Sequence, residues 1–370
     1  MPEPTRHLLV MPDDGPKALL DAIENAKHSL VVKMFVFSDP PLLEAVIAAH
    51  KRGVQTRVML NRARRSGESD NSETQRRLLR AGVPVKDSNP AFDVSHEKSM
   101  VVDGRTAFIK SLNWEPKNFS ETRDYAIVTT DPDEVTEVAY VFDADWNRLP
   151  YTCPPSARLI WCRGNARERM TRFIDEATHS LRVQNERYQD VTIIEHLIRA
   201  KERGVKVKVM ARPPHTLKEH KLLEGVGGLR MMQDVGIKVH KLKGLQLHAK
   251  MMVADHKRAI VGSMNLAPGS FEDRRELGIQ VHEPDIVSRL EATFDRDWEN
   301  SHKLDLSDEA VREDMERHGR TDFEIAELAP EADPQVAEGH FGPARERKIA
   351  GKKAAKVDAK AKARPKKRKT

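Results

Sequence analysis

An eight-residue pattern that occurs twice in the chain decides the fold. Residues 96–103 read HEKSMVVD and residues 248–255 read HAKMMVAD. Both segments fit the spacing His-x-Lys-x4-Asp. A single short motif of this kind is weak evidence, because such spacings arise by chance. Two copies at equivalent places in a duplicated chain are a strong signal.

The rest of the chain supports a duplication at an offset of 151 to 154 residues. Matching segments are KHSL at 27–30 with THSL at 178–181, and KRGV at 51–54 with ERGV at 202–205. Internal repeats of this length indicate two structural units of the same build. We therefore predict homologous halves at 5–150 and 156–301, joined by the proline-containing segment 151–156.

Each half alternates between helical and strand-like segments. In the first half, helices are predicted at 16–27, 41–52 and 72–81, and strands at 28–37, 54–60 and 83–86. The alternation predicts an α/β fold with helices covering a sheet. Because the last strands of each half read as a hairpin, the sheets should be mixed. In the second half, Asp190 is a predicted helix N-cap, and the glycine-rich stretch 225–228 is predicted to be a loop.

Composition excludes several classes of protein. No apolar run of the 370-residue chain approaches the ~18 residues that a membrane helix needs. Two cysteines, Cys153 and Cys162, exclude a disulfide framework and a Cys-x-x-Cys metal site, and both are expected to be free thiols. The first 14 residues lack the pattern of a secretory signal. We therefore predict a cytoplasmic protein, peripheral at the membrane, with export lacking a recognisable signal as the open alternative.

Charge is distributed unevenly at the end of the chain. Residues 302–344 hold 4 Lys/Arg and 12 acidic residues, which predicts an acidic, partly helical extension. Residues 345–370 hold 13 Lys/Arg and 2 acidic residues, which predicts a disordered Lys/Ala-rich tail. Such a tail is attracted to nucleic acid or to an anionic membrane surface, and a purely solubilising role is the other interpretation.

The repeated motif predicts a cluster of polar side chains on one hairpin. His96 and Lys98 are two residues apart on a strand and therefore point to the same face. If Asp103 and its glycine neighbour form a two-residue turn, Ser111 lies opposite His96 and Asn113 follows on the same face. Asp103 itself lies at the far end of the strand, where we expect a structural role. The second half repeats this cluster with His248, Lys250, Ser263, Asn265 and Asp255.

A carboxylate follows eleven residues after each asparagine. These residues are Asp124, in the sequence TRDYAI, and Glu276, in RRELGI. A carboxylate can bind one ring nitrogen of a histidine and leave the other nitrogen free to attack or to carry a proton. We expect each carboxylate to bind the histidine of its own half.

These residues resemble the phospholipase D superfamily, whose hallmark is two such His-x-Lys-x4-Asp motifs with a trailing Gly-Ser-x-Asn. The resemblance covers residues 5–301. The trailing motif is complete at residues 262–265, whereas Lys110 replaces the glycine before Ser111 in the first copy. The substitution is expected either to narrow the pocket or to add a positive charge for the substrate, and we count Ser111, Ser263 and Lys110 as candidate substrate-binding residues.

The resemblance implies that the two halves pack as a pseudo-twofold dimer and combine their motifs into one active site. It implies that His96 is the nucleophile, forming a phosphohistidine, and that His248 is the general acid and base. The positive charge that neutralises the phosphate oxygens would come from side chains of the protein, so no metal or other cofactor is implied. The side chains that would hold these oxygens are Lys98, Lys250, Asn113 and Asn265.

Three functions remain open at this stage. The leading one is a phospholipase D-type enzyme that hydrolyses a phospholipid at an anionic membrane surface or transfers its phosphatidyl group to an alcohol. The alternative is a metal-independent nuclease of the same superfamily, which the basic tail supports. The third is a binding protein in which the tail acts and the site is incidental.

Overall fold

A computed structural model of the chain describes residues 5–61, 71–217 and 222–320. The two halves belong to one compact unit. The predicted basic tail and the extension beyond residue 320 lie outside the described residues.

In the first half, the strands are β1 (Arg6–Met11), β2 (Ser29–Met34), β3 (Gln55–Leu60), β4 (Val85–Asp87), β5 (Val94–Ser95), β6 (Ser99–Val102), β7 (Thr106–Lys110) and β8 (Thr122–Thr129). The helices are α1 (Lys17–Glu24), α2 (Pro40–Lys51), α3 (Ser72–Arg80) and α4 (Pro132–Trp146). Helix α2 begins after Asp39, whose carboxylate accepts a hydrogen bond from the N–H of Leu42.

In the second half, the strands are β9 (Ile160–Trp161), β10 (Ser180–Gln184), β11 (Lys206–Met210), β12 (Lys238–Leu242), β13 (Gln246–Leu247), β14 (Met251–Ala254), β15 (Arg258–Gly262), β16 (Arg274–Arg275), β17 (Leu277–Val281) and β18 (Ser301–Lys303). The helices are α5 (Ala166–Asp175), α6 (Val191–Glu202), α7 (Leu222–Asp234), α8 (Pro268–Glu272), α9 (Pro284–Glu299) and α10 (Asp308–Arg317). Asp190 caps α6 through the N–H of Ile193, as the sequence predicted.

The two sheets have the same central topology. The first runs β1-β8-β7-β6-β2-β3-β4, and the second runs β18-β12-β11-β10-β14-β15-β17-β9. In each sheet one strand group is parallel, β2-β3-β4 and β10-β11-β12, while the hairpin strands are antiparallel. The predicted mixed α/β fold of two similar halves is therefore confirmed.

The hairpin register differs by one residue from the expected one. Val102 pairs with Thr106, so the turn contains three residues, and the second hairpin shows the same shift. Asp103 and Gly104 both have positive φ, of 53° and 61°, and the N–H of Arg105 closes the turn on the carbonyl of Val102, so pairing resumes only at Thr106. Ser111 therefore does not lie opposite His96, and Ser263 does not lie opposite His248.

The last residue of each motif holds the start of a neighbouring strand. The carboxylate of Asp103 accepts hydrogen bonds from the N–H groups of residues 27–29, at 2.6–3.2 Å. Asp255 binds the N–H groups of residues 178–180 in the same way, at 2.7–2.9 Å. We infer that both aspartates have a structural role at the end of the hairpin remote from the histidine.

The two sheets pack face to face through a shared apolar core. Residues of both sheets meet there, among them Val101 and Ile109 from the first half and Val253 and Val261 from the second. Helices α4 and α9 contribute to the same core, whereas α1 and α2 pack with the opposite face of the first sheet. Burial of this apolar area joins the two halves.

Two short strands cross from one half to the other. Strand β13 pairs in parallel with β8, and β16 pairs in parallel with β5. Each crossing carries a buried ion pair between the halves: Arg123 binds Asp297, with bonds of 2.8 and 2.9 Å, and Arg275 binds Asp145, with two bonds of 2.9 Å. The crossings therefore fix the halves relative to each other immediately beside the motif histidines.

The glycine-rich stretch 225–228 lies inside helix α7, so the predicted loop is wrong. A Cβ atom at Gly228 would lie 2.3 Å from the carbonyl oxygen of Tyr188. The glycine is needed for close packing of the helix against this backbone and not for a turn.

The acidic extension begins as part of the second half. Strand β18 pairs with β12, and α10 buries Val311 and Met315. In the part of the chain that is described, no helix is both long enough and apolar enough to span a membrane.

We predict that loss of one partner of the buried pair between Arg123 and Asp297 strongly destabilises the protein. Arg123→Met leaves the Asp297 carboxylate without its guanidinium partner and should lower the free energy of unfolding by about 3–5 kcal/mol. Urea denaturation of the full chain measures this loss. Arg296→Met, at an exposed ion pair on the same helix, should cost less than about 1 kcal/mol. Equal losses in the two variants would contradict the prediction, and Arg123→Met/Asp297→Leu should recover part of the loss.

Candidate active site

Each motif histidine is held by a carboxylate of the other half. His96 Nδ1 lies 2.9 Å from Glu276 Oε2, and His248 Nδ1 lies 2.8 Å from Asp124 Oδ1. The expectation that each carboxylate binds the histidine of its own half is therefore wrong.

The crossing strands are the cause of this exchange. The N–H of His96 donates to the carbonyl of Arg275, the residue before Glu276, at 2.9 Å. The N–H of His248 donates to the carbonyl of Arg123, the residue before Asp124, at 3.2 Å. Because neighbouring residues of an extended segment face opposite ways, each arginine reaches a helix of the opposite half while the following carboxylate reaches a histidine.

Burial keeps His96 neutral, whereas neighbouring groups keep its partner Glu276 ionised against the effect of burial. Burial is the largest cause that lowers the pKa of His96, to about 3, although Glu276 opposes it. Burial opposes ionisation of Glu276, but His96 and Lys98 hold the pKa of this carboxyl below its usual value. A neutral His96 whose Nδ1–H faces Glu276 has a lone pair on Nε2 that is available for attack.

Asp124 is a fully buried acceptor with several donors besides His248. Burial acts against its ionisation, but His248, Lys250 and the hydroxyl of Ser111 lower its pKa. Ser111 Oγ and Thr122 Oγ1 each donate to it at 2.6 Å. These bonds orient the carboxylate toward the imidazole ring.

The two serines lie behind the carboxylates and not in the open site. Ser111 and Ser263 are fully buried. Their hydroxyls accept the N–H groups of Tyr125 and Leu277, the residues after the two carboxylates, at 2.9 and 3.1 Å. The expected direct contact with substrate is therefore replaced by support of the carboxylate strand.

Lys98 and Lys250 make the same hydrogen bond to the backbone but have different surroundings. Each ammonium group binds the carbonyl of its own motif histidine. Lys98 lies over the ring of Phe35, 5.1 Å from the centroid, whereas Lys250 binds Glu186 Oε2 at 2.8 Å. Burial, the largest cause, lowers the pKa of Lys98 to about 7, and Lys250 of the other half also lowers it. The charges of both halves thus act in one site.

Both asparagines leave an amide oxygen without a partner. The Oδ1 atoms of Asn113 and Asn265 are buried and make no hydrogen bond within the described part of the protein. The amide nitrogen of Asn113 donates to Glu115 Oε2 at 3.0 Å, so the free end of this amide is its oxygen. Two unsatisfied amides at equivalent positions are suited to bind a polar ligand group.

Lys110 lies below the site and not at its opening. Its ammonium is buried, makes no hydrogen bond with any of the described residues, and lies 5.1 Å from the ring centroid of Trp114. In the second half the equivalent residue is Gly262, which lines a small cavity together with Lys250. A Cβ at Gly262 would lie 2.7 Å from Gly278 Cα. A lysine side chain therefore fits at this position in the first half, whereas in the second half the neighbouring backbone is too close to Gly262 for a side chain.

Sequence reasoning missed Glu186, Arg187 and the ion pairs that cross between the halves. The crossing ion pairs could have been predicted from the sequence, since an arginine precedes each carboxylate and an aspartate recurs at 145 and 297. The sequence evidence for Glu186 was weaker: it follows the end of a strand, where ligand-binding sites of α/β sheets tend to lie. Its equivalent in the first half is Phe35, so a search for repeated residues passes over it.

One group among the described residues could hold a metal ion. Ligand atoms of His215, Asp314 and His318 lie within 4.8 Å of one another. His215 Nδ1 is hydrogen-bonded to Asp314 Oδ2 at 2.8 Å, and the two imidazole rings are stacked. This group joins α10 to the segment after β11, and none of its residues belongs to the bonded set around His96 and His248.

The exchange of carboxylates predicts a specific spectroscopic result. Glu276→Gln should shift the Nδ1–H resonance of His96 and leave that of His248 in place, and Asp124→Asn should do the reverse. Proton–nitrogen spectra of the full chain with ¹⁵N-labelled histidine measure both resonances, assigned with single histidine variants. Shifts within the same half would contradict the pairing.

We predict that replacement of Lys110 by methionine stabilises the protein, and that the gain depends on pH. Burial, the largest cause, lowers its pKa from 10.5 in a free lysine to about 7. The cost of the buried charge is therefore fully present below about pH 7 and declines as the pH rises toward 10.5. Lys110→Met should raise the free energy of unfolding by roughly 1–3 kcal/mol at pH 6, and the gain should shrink by pH 10.

Urea denaturation at the two pH values measures this gain. The matched control is Lys51→Met, at an exposed position of α2, which should change stability little at either pH. A Lys110 variant that is equally stabilised at both pH values, or destabilised at pH 6, would contradict the prediction.

The family described as "Cardiolipin synthase, PLD-like domain" matches the chain twice, at residues 19–146 and 170–298. Cardiolipin synthase B of Salmonella typhi is 25% identical over 317 residues, covering 72% of this chain and 73% of that protein. Mitochondrial cardiolipin hydrolase of Homo sapiens is 32% identical over 133 residues, covering 35% of this chain and 50% of that protein.

Two solved structures share the fold. Phosphatidylserine synthase of Haemophilus influenzae Rd KW20 superposes with a TM-score of 0.66 at 11% identity, covering 85% of this chain and 93% of that one. Polyphosphate kinase of Porphyromonas gingivalis superposes with a TM-score of 0.65 at 16% identity, covering 82% of this chain and 49% of that one. The family match spans both halves and includes both motifs. The chain therefore belongs to the phospholipase D superfamily, and within it to the cardiolipin synthase-like family of phosphodiesterases and phosphatidyltransferases.

Proposed function

We propose that the protein transfers the phosphatidyl group of a phospholipid to an alcohol or to water through a phosphohistidine on His96. The observation that carries this proposal is the pair of imidazoles, each oriented by a buried carboxylate of the other half. Cardiolipin synthase B, at 25% identity over most of both chains, supports a lipid substrate.

The first step would use the difference between the two histidines. Neutral His96 attacks phosphorus through Nε2, the bond between phosphorus and the headgroup oxygen breaks, and His248 donates a proton to the departing oxygen. Glu186 Oε2 lies 4.0 Å from His248 Nε2. His96 has Phe35 in the equivalent place, so the asymmetry supports these roles.

The second step would reverse the first with a new alcohol or with water. His248 removes the proton of the acceptor hydroxyl, the acceptor oxygen attacks phosphorus, and the bond to His96 breaks. Lys98, Lys250 and the two site asparagines supply positive charge and N–H donors for the phosphate oxygens. These groups perform both steps with charges from the protein itself, and we propose that the reaction needs no added metal.

Two features favour a phospholipid over a nucleic acid. The ring of Phe35 stands edge-on to the ring of His96, with centroids 4.8 Å apart, and gives the site an apolar wall. By their names, one of the two relatives described above makes cardiolipin and the other hydrolyses it. We propose that the protein works as a peripheral enzyme at an anionic membrane, to which the 13 basic residues of the tail are attracted.

The test uses phosphatidylglycerol vesicles and a p-nitrophenyl ester of phosphatidate, both in EDTA. The wild type should release headgroup and nitrophenol. His248→Asn should give a burst of about one nitrophenol per protein and then stop, because a good leaving group needs no general acid whereas release from His96 needs the base. His96→Asn should give neither burst nor turnover, with loss of activity of at least about 10³-fold.

His256→Asn, at an exposed position in a hairpin turn, is the matched control and should retain full activity. A burst in the His96 variant and none in the His248 variant would reverse the two roles. Cleavage of single- or double-stranded DNA that is lost in both variants, with lipid untouched, would make the protein a nuclease instead.

A further inference from the structure

An ion pair beside the motif residues is present in the second half and has no equivalent in the first. Phe35 and Asn61 directly follow strands β2 and β3, and Glu186 and Arg212 take the equivalent places in the second half. Glu186 Oε1 lies 3.1 Å from Arg212 Nη1, where the first half has two uncharged side chains. The histidine, lysine and asparagine of the motif are the same in both halves, so the ion pair changes the surroundings of the site and not the motif.

The carboxylate of Glu186 lies beside the space that a phosphate oxygen would use. Its Oε2 atom accepts from Lys250 Nζ at 2.8 Å and lies 4.0 Å from His248 Nε2. A phosphate oxygen held by the same lysine would lie at a similar distance from the ammonium group. Glu186 and the substrate phosphate therefore share Lys250, and the two negative groups become neighbours.

The position of Glu186 is fixed by the loop that carries Asn265. The side chain of the preceding residue, Asn185, donates to the carbonyl of Met264 at 3.0 Å and accepts from the N–H of Leu266 at 3.3 Å. These two bonds tie the segment after β10 to both neighbours of Asn265. The side chain of Glu186 is 10% exposed, so its carboxylate is held in place beside the residues that would bind the phosphate.

Glu186 carries a lasting negative charge. Burial opposes its ionisation, but Lys250, His248 and Arg212 hold the pKa of its carboxyl well below its usual value. This charge offsets part of the positive charge that Lys250 would offer to a phosphate. Lys98, the equivalent lysine, lies over an aromatic ring and forms no ion pair with any described residue. The carboxylate therefore lowers the positive charge of the site on one side only.

A second negative charge on a bound phosphate would lie close to this carboxylate. A phosphodiester has one negative charge, whereas a phosphomonoester has two at about pH 8, since its second pKa is about 6. Attack by a neutral His96 adds no net charge to the diester complex. Repulsion by Glu186 therefore acts more strongly on a doubly charged phosphomonoester than on a diester.

We propose that Glu186 is a specificity-determining residue, which makes the site select singly charged phosphodiesters over doubly charged phosphomonoesters. The inference rests on the proposed function in placing the substrate phosphate between the two motifs. It extends that function to the end of the reaction, because hydrolysis yields phosphatidate, which is a phosphomonoester. The second charge of phosphatidate favours its release, and a site without Glu186 would be inhibited more strongly by this product.

The experiment compares dimethyl phosphate with methyl phosphate, which differ in charge but little in shape, by calorimetry with the full chain at pH 8. In Glu186→Gln, the Kd of methyl phosphate should fall roughly 10- to 100-fold relative to the wild type, because one like charge is removed. The Kd of dimethyl phosphate should change by less than about threefold, since repulsion of a single charge is weaker. At pH 5, where methyl phosphate is mostly singly charged and Glu186 is still ionised, the gain should shrink.

Glu202→Gln, at an exposed position of α6, is the matched control and should leave the Kd of both ligands unchanged. Arg212→Gln keeps the carboxylate but removes one of its two cations, so it should weaken binding of methyl phosphate. If Glu186 only positions Lys250, Glu186→Gln weakens both ligands by the same factor, and the proposal is wrong. An equal gain in Glu202→Gln also overturns it, because net charge alone would then be the cause.

An inhibition measurement separates this proposal from the proposed function. With the nitrophenyl ester as substrate, short-chain phosphatidate should inhibit Glu186→Gln at least about tenfold more strongly than the wild type. Equal inhibition of the two proteins contradicts the proposal. If the wild type releases no nitrophenol, the proposed function fails, while the binding of the two methyl phosphates still decides whether Glu186 selects by charge.

Discussion

Each motif histidine depends on a carboxylate that the other half supplies. The dependence follows from the two backbone crossings, in which β13 lies beside β8 and β16 beside β5. Side chains of neighbouring residues point in opposite directions along a strand. In each crossing segment the arginine therefore forms an ion pair with a helix of the opposite half, and the next residue, a carboxylate, binds the histidine of the opposite half. Neither half alone therefore contains a complete histidine–carboxylate pair, and the duplicated chain needs both copies for one site.

The same crossings explain why so much charge is buried at the centre of the molecule. Arg123, Asp297, Arg275 and Asp145 are all nearly inaccessible to solvent. A buried ion pair adds little net stability, but removal of one partner is costly. In this protein the pairs are placed one residue from Asp124 and Glu276, so the orientation of the carboxylates that bind the two histidines depends on the same charges that hold the halves together.

Much of this architecture could be predicted from the sequence, because it depends on local patterns. The helix and strand alternation, the mixed sheets and the duplicated motif follow from periodicity, and the capping role of Asp190 follows from residue type. The exchange of carboxylates could not be predicted, because it depends on which strands meet in space, and the equal spacing of Asp124 and Glu276 from their asparagines is compatible with either pairing. The hairpin register was wrong by one residue because an Asp-Gly turn is compatible with pairing that resumes at either of the next two residues, and here it resumes at Thr106.

The differences between the halves carry as much information as the similarities. In the proposed reaction the His, Lys and Asn residues of both motifs face one phosphate. A phosphodiester is not symmetric, since its two ester oxygens lead to different groups, so a protein that distinguishes them must break its own twofold symmetry beside the motifs. The break lies at Phe35 against Glu186 and at Val36 against Arg187. It gives one side of the site an apolar wall and the other a set of charges, and this difference is the physical basis for assigning attack to His96 and proton transfer to His248.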